Sequence, residues 1–142
     1  MTGNEKKLLY VCELPIRWGD MDLNKHVNNT RYYQYLEEAR IEWLDGLGAH
    51  RRQVGHGLVL LKCTHYFLRP AEHPGTVVVE LYAGEVGRTS LTLEHQMYIK
   101  GQPERIGYGD VKMVWINVNT QRPVPVPDKV RIAMGYEPLT EA

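Results

Sequence analysis

Serine is almost missing from this 142-residue chain, since Ser90 is its only one. Ser90 lies in no Gly-x-Ser-x-Gly turn, which argues against a serine hydrolase of that type. Cysteine is nearly as scarce. Cys12 and Cys63 both fall in apolar runs without metal-type spacing. Free buried thiols in a reducing cytoplasm are the expectation, rather than a disulfide scaffold or a cysteine nucleophile. Net charge is absent, because 17 basic residues balance 17 acidic ones. That removes the bulk attraction expected of a nucleic-acid or anionic-membrane binder. No apolar run approaches the roughly 18 residues that span a bilayer. The N-terminus lacks the apolar core of a secretion signal, so Asn28-Asn29-Thr30 reads as a helix cap rather than a glycosylation site. No phosphate loop, dinucleotide fingerprint, internal repeat or linker is present. At 43% hydrophobic content the chain fits one domain spanning residues 1–142.

What is present divides by period. Leu8 to Trp18 reads as a strand, with Tyr10, Cys12, Leu14, Ile16 and Trp18 on one face. Pro15 cannot donate to a ladder, which places that strand at an edge or bulge. From about Thr30 to Leu47 the spacing changes to threes and fours. Tyr32, Leu36, Ala39, Trp43 and Leu47 form one stripe, and Arg31, Gln34, Glu38, Glu42 and Asp45 face the other way. Gly46 and Gly48 close this helix. No second helix is comparable, so a sheet must cover its apolar stripe. Leu58–Leu68, Thr76–Tyr82, Ser90–Ile99 and Ile106–Val118 supply that sheet. Their short, turn-rich links predict antiparallel hairpins between successive strands. The proline-punctuated tail is neither central strand nor long helix, and Asp128 is placed to cap a short one up to Met134. The fold class is α+β, a long helix wrapped by a curved antiparallel sheet. Sheet edges need protection, and pairing with a second copy predicts a symmetric oligomer.

Between the first strand and the helix, polar residues crowd one short loop: Asp20, Asp22, Asn24, His26, Asn28 and Asn29. Asp20-Met21-Asp22-Leu23-Asn24 copies the opening of a calcium loop, but Lys25 stands where glycine is needed and Arg31 where glutamate is needed. The six histidines (His26, His50, His56, His65, His73 and His95) make no metal-type pair on one element, so no metal is expected. His95 shares a face with Leu93 and Met97 and reads as a hydrogen-bonded core residue. One cap and one turn would not use so many polar side chains. A carboxylate beside a helix start, with its free N–H groups and partial positive charge, suits general-base or nucleophilic attack on an acyl group.

The pattern Asp20-x-Asp22-x-x-x-His26-Val27-Asn28-Asn29, then Tyr32-Tyr33 and Glu38-Ala39-Arg40, resembles the hotdog-fold acyl thioesterases, those of the 4-hydroxybenzoyl-CoA thioesterase type in particular. Asp22 to Asn29 is also similar to the catalytic loop of plant acyl-ACP thioesterases. The resemblance implies a hotdog fold of five or six strands and hydrolysis of a fatty or aromatic acyl-CoA, or of an acyl-ACP. It implies Asp22 as base or nucleophile, Asn24 and His26 as its partners, and the Asn29 backbone N–H as oxyanion donor, with Asp20 structural. It further implies Tyr33 along the acyl tunnel, Arg88, Thr89 and Ser90 near the CoA phosphates, no cofactor, and a homodimer or homotetramer. A hotdog hydratase and a non-catalytic acyl-CoA-binding module are the alternatives.

Overall fold

The computed structural model describes residues 6–49 and 55–139; His50 lies outside them. Strand β1 (Leu8–Pro15) is followed by a single 3-10 turn (Trp18–Asp20) and helix α1 (Asn29–Gly46). Strands β2 (His56–Phe67), β3 (Thr76–Val86), β4 (Ser90–Ile99) and β5 (Arg105–Asn117) follow, then a short helix α2 (Asp128–Ala133). The strands make one antiparallel sheet in the order β1-β3-β4-β5-β2.

The spacing in α1 explains how it seats on that sheet. Tyr32, Tyr35, Leu36, Ala39, Trp43 and Leu44 are buried and share a core with Val77, Val79 and Leu81 of β3, Leu93 and Met97 of β4, and Val111 and Trp115 of β5. Full burial of side chains of this size contributes roughly 1.5–3 kcal/mol each. Gly48, at φ +68° just beyond the helix, supplies the left-handed residue that ends it. Pro15 closes β1 at the sheet edge, where its missing N–H costs nothing.

Three expectations are corrected. Trp18 does not join the core face of β1: the strand ends at Pro15 and Trp18 is 75% exposed on the following turn. β2 and β3 are not a hairpin, because β2 pairs with β5 and lies at the opposite edge from β1. The link from Leu68 to Gly75, with Pro70 and Pro74, carries the chain across the sheet instead of folding it back. Asp128 does not cap α2: Pro127 holds that position, and the Asp128 carboxylate accepts from Leu139 N. The proline-rich tail also joins the core, burying Val126 and Val130.

Two core positions of β5 carry no side chain, and two histidines use the space. His65 of β2 and His95 of β4 both pair with Gly109. Their rings meet over it, with His65 Nδ1 and His95 Nε2 2.8 Å apart and the planes 18° from parallel. A Cβ at Gly109 would collide with Thr64 O, and one at Gly107 would stand 2.5 Å from His65 Nε2. The reading of His95 as a hydrogen-bonded core histidine holds.

Burial pushes the His65 imidazole down to about 4; burial, the neighbouring His65 and the Arg40 charge together bring His95 to about 3. Both rings are therefore neutral in the folded protein, whereas an unfolded histidine takes up its proton near pH 6.5. Below about pH 6.5 the unfolded chain binds protons that the folded one does not, so this pair's contribution to stability falls as pH drops toward about 4. Urea midpoints compared at about pH 7 and about pH 5 should fall for the wild type, and fall less for the double variant His65→Phe/His95→Leu.

Candidate active site

The loop between β1 and α1 is held at three levels. Asp20, buried at its base, accepts from Arg17 N at 3.0 Å and from the Tyr35 hydroxyl at 2.7 Å, and its backbone carbonyl accepts from Asn28 N at 2.9 Å. This is the structural role expected of the first aspartate. Above it an isolated bridge, Met21 to Val27, closes residues 22–26 into a tight turn. Within the turn Asp22 N donates to His26 O at 3.1 Å and Lys25 N to Asp22 O at 2.9 Å. Lys25 takes φ 62°, the left-handed geometry the turn requires. Val27 N donates to Ala71 O at 2.8 Å and fastens the loop to the crossing segment after β2.

At the top, Asp22 is oriented by two neutral donors. Its Oδ1 accepts from Asn24 N at 2.8 Å and its Oδ2 from Asn28 Nδ2 at 3.0 Å. Asn28 is also the N-cap of α1: its Oδ1 accepts from Thr30 N at 2.9 Å and from Thr30 Oγ1 at 2.6 Å. One amide thus joins the carboxylate to the helix start. The next residue, Asn29, begins the helix, and among the described residues its backbone N–H has no acceptor. A free N–H on the positive end of a five-turn helix is a ready donor to an oxyanion.

Asp22, Asn24, His26 and Asn29 line one cavity of about 530 Å³ together with Val27, Tyr32, Phe67, Leu68, Arg69 and Pro70. Polar groups occupy the loop side, and Phe67, Leu68 and Pro70 face them from the end of β2 with the charged Arg69 among them. Tyr33 is not in that wall. It is 40% exposed and packs edge-on to Phe67, with ring centroids 6.3 Å apart, while Tyr32 takes the lining position. Both positions lie about one turn from residue 29, and burial separates them: Tyr32 is on the core face of α1 and buried, whereas Tyr33 lies toward its exposed side. Arg88, Thr89 and Ser90 lie at the β3–β4 turn, where Thr89 O accepts from Trp115 N and Arg88 O from Val126 N. Trp115 pairs with Leu58, so this turn sits by the opposite end of β2 from Phe67, outside the cavity of its own chain. Phe67 to Pro70 escaped the sequence reading because only the crossing link brings them over the helix start. The signal available was Arg69-Pro70, which ends β2 at that level.

Among the described residues no group of three His, Cys, Asp or Glu side chains could hold a metal ion. No helix there is long and apolar enough to cross a membrane.

A long helix backed by a five-stranded antiparallel sheet is the hotdog architecture, and the proteins the chain is similar to make it a thioester hydrolase. The chain belongs to the Thioesterase-like superfamily, whose family model matches residues 16–134. It is similar to the PA2801 protein of Pseudomonas aeruginosa, with 48% identity and a TM-score of 0.86 over 89% of this chain and 98% of that one. It is also similar to the long-chain acyl-CoA thioesterase FadM of Escherichia coli, 22% identical over 84% of this chain and 92% of FadM. A third relative is the chloroplastic acyl-acyl carrier protein thioesterase ATL3 of Arabidopsis thaliana, 27% identical over 91% of this chain and 69% of ATL3.

Because Asn28 serves both the helix and Asp22, its truncation has two separable effects. Asn28→Ala should cost about 0.5–2 kcal/mol of stability by loss of the cap, seen as a lower urea midpoint. It should also lower kcat for thioester hydrolysis at temperatures where the variant remains folded. Thr30→Val, which removes only the hydroxyl contact to Asn28 and leaves Asp22 held, should retain kcat far better.

Proposed function

We propose that the protein hydrolyses acyl-CoA thioesters, with Asp22 as general base and the Asn29 N–H as oxyanion donor. The observation that carries this reading is that both groups line one cavity, with the carboxylate tied to the helix start through Asn28. The thioester carbonyl oxygen rests on the Asn29 N–H. Water attacks the carbonyl carbon and gives a proton to Asp22, and the resulting oxyanion is stabilised by the helix start. Collapse breaks the C–S bond, and His26 at the cavity rim delivers a proton to the departing thiolate. Asn24 sits on the same rim and holds the water. The two N–H donors on Asp22 fix its carboxylate in place, which favours deprotonating a mobile water over attack by the carboxylate itself.

The site extends to a second copy of the chain. β2 is a twelve-residue strand with one open edge, and Val59, Leu60, Leu61, Tyr66 and Phe67 along it are 43 to 57% exposed. An apolar edge of that length invites antiparallel pairing with its own copy. Twofold pairing about the middle of β2 sets the His56 end of one strand beside the Phe67 end of the other. The partner's Arg88, Thr89 and Ser90 then lie at the same end of the joined sheet as the cavity, where they are placed to meet CoA phosphates. Two unpaired cysteines accord with a cytoplasmic enzyme.

Thiol release followed with Ellman's reagent over a panel of acyl-CoA and acyl-ACP thioesters tests the activity, and its absence throughout would refute the reading. Asp22→Asn should lose about 10²–10⁴-fold in kcat with an unchanged circular dichroism spectrum; full activity in that variant would remove Asp22 from the mechanism. Light scattering at micromolar concentration should give at least twice the subunit mass. Leu61→Lys, which sets a charge on the open edge, should shift it toward the monomer.

A further inference from the structure

A second cavity, of about 200 Å³, opens farther along α1, and a buried cation lines it. Ile41 and Leu44 of α1, Leu58 of β2 and Met113 of β5 give it apolar walls, with Glu37 and Arg40 as its charged members. Arg40 is 9% exposed, and none of the described residues gives its guanidinium a hydrogen bond or an ion pair. Burial lowers the pKa of Arg40 and the Glu37 charge opposes that, but a guanidinium keeps its proton in any protein setting. Buried charges are normally paired, and leaving one unpaired costs stability. Nothing among the described residues uses this charge, so its partner comes from outside the chain. The two cavities share one side of the helix. Arg40 follows Asn29 by eleven residues, three turns and about 20°, at a rise of about 16 Å. Tyr33 packs on Phe67 of the first cavity. Glu37 and Ile41 of the second follow Tyr33 at spacings of four, which makes the three neighbours on the helix surface. Tyr33 and Ile41 are 40% and 42% exposed, so the strip between the cavities is open and largely apolar.

We propose that the second cavity receives the far end of the acyl chain, and that Arg40 pairs there with a carboxylate at that end, so that the preferred substrates are CoA thioesters of dicarboxylic acids. The proposal rests on the thioesterase reading and adds the class of acyl group to it. Its chemistry follows from the cavity. A buried guanidinium needs an anion, and a carboxylate meets it with two parallel N–H bonds. The apolar walls suit the hydrocarbon that carries such a group. Glu37 is exposed and lines the same cavity, which disfavours a doubly charged phosphate. A methyl end would bury the chain but leave Arg40 unpaired. Length follows from the helix. An extended chain advances about 1.2 Å per bond, and long helical side chains lean back toward the helix start. A chain of roughly ten carbons therefore spans most of the rise from Asn29, and the arginine stem closes the rest.

The test is the ratio of kcat/KM within pairs of equal chain length: adipyl-CoA against hexanoyl-CoA, suberyl-CoA against octanoyl-CoA, and sebacyl-CoA against decanoyl-CoA. The wild type should favour the carboxylated member of the longest pair by about tenfold or more, because a site built around a polar partner rejects the analogue that lacks it. The six-carbon pair, too short to reach Arg40, should show no such preference. Arg40→Met should bring the ten-carbon ratio to about one or below, and Arg40→Lys, which keeps the charge, should restore part of it. A merely structural role would change both members of a pair alike. No preference for the carboxylated member at any length in the wild type would overturn the proposal. So would a preference that survives Arg40→Met, which would assign the recognition to Arg69 of the first cavity. If Arg40 instead pairs with a carboxylate of a second copy, Arg40→Met should lower the mass seen by light scattering, and that result would also overturn it. A second measurement needs neither variants nor turnover. In calorimetry the wild type should bind the thioether 9-carboxynonyl-CoA about tenfold more tightly than decyl-CoA, and equal affinities would count against the carboxylate contact. Failure of thiol release with every thioester would count against the thioesterase reading alone, and the thioether affinities would still decide the role of Arg40.

Discussion

The side chain of Asn28 is the joint on which this structure turns. Its carbonyl oxygen closes the first turn of α1 through Thr30, and its amide nitrogen holds Asp22. A helix must satisfy its first N–H groups somehow. Using an asparagine rather than a serine or aspartate leaves a donor free to reach backward. An aspartate at 28 would cap the helix equally well but would face Asp22 with like charge. The capping requirement and the need to fix a carboxylate near an unfilled N–H are met by one residue.

That joint works only because the two elements it connects are independently rigid. Below it, Asp20 is fixed by Arg17 N and by the Tyr35 hydroxyl from the second turn of α1, so the loop is tied to the helix at two heights. Burial and the Asp20 carboxylate both push the Tyr35 phenol up, which keeps it a hydrogen-bond donor at any ordinary pH. Beside the loop, Val27 is fastened to Ala71, and Ala71 N in turn donates to the Tyr32 hydroxyl at 3.2 Å. The crossing segment from Leu68 to Gly75 therefore does more than connect two edges of the sheet. It forms the far wall of the cavity and fixes the ring at its back.

Sequence reading reached the parts governed by period and by local chemistry. Long-helix spacing, alternating strands and an edge proline are properties of single elements, and all of them survive in the fold. The cluster Asp22, Asn24, His26 and Asn29 was legible for the same reason: it lies within eight consecutive residues, and a short turn leaves those side chains few directions to point. Strand order was not legible. Nothing local in β2 announces that its partner is β5 rather than β3, because pairing is settled by which edges remain open once the helix has been covered. Phe67 to Pro70 reach the cavity only through that nonlocal choice, and Tyr32 displaced Tyr33 by a rotation of one residue. Trp18 was misplaced because alternation was carried past a proline that had already ended the strand.

The glycines of β5 show how a nonlocal arrangement sets chemistry that no single stretch of chain contains. Gly107 and Gly109 leave a gap in the core-facing row of the sheet, which in an ordinary strand would cost packing and backbone entropy. The gap is filled from both sides by imidazoles of β2 and β4, so the missing side chains become room for a buried polar pair. His65 Nδ1 bonds His95 Nε2, and the His65 ring packs against the next layer. Here that layer is Tyr32 and Phe67, the wall of the cavity itself. Leucine and valine in place of the two histidines would have been the simpler route to a filled core. The two strands instead place a hydrogen-bonded imidazole pair directly behind Tyr32 and Phe67, which line the cavity.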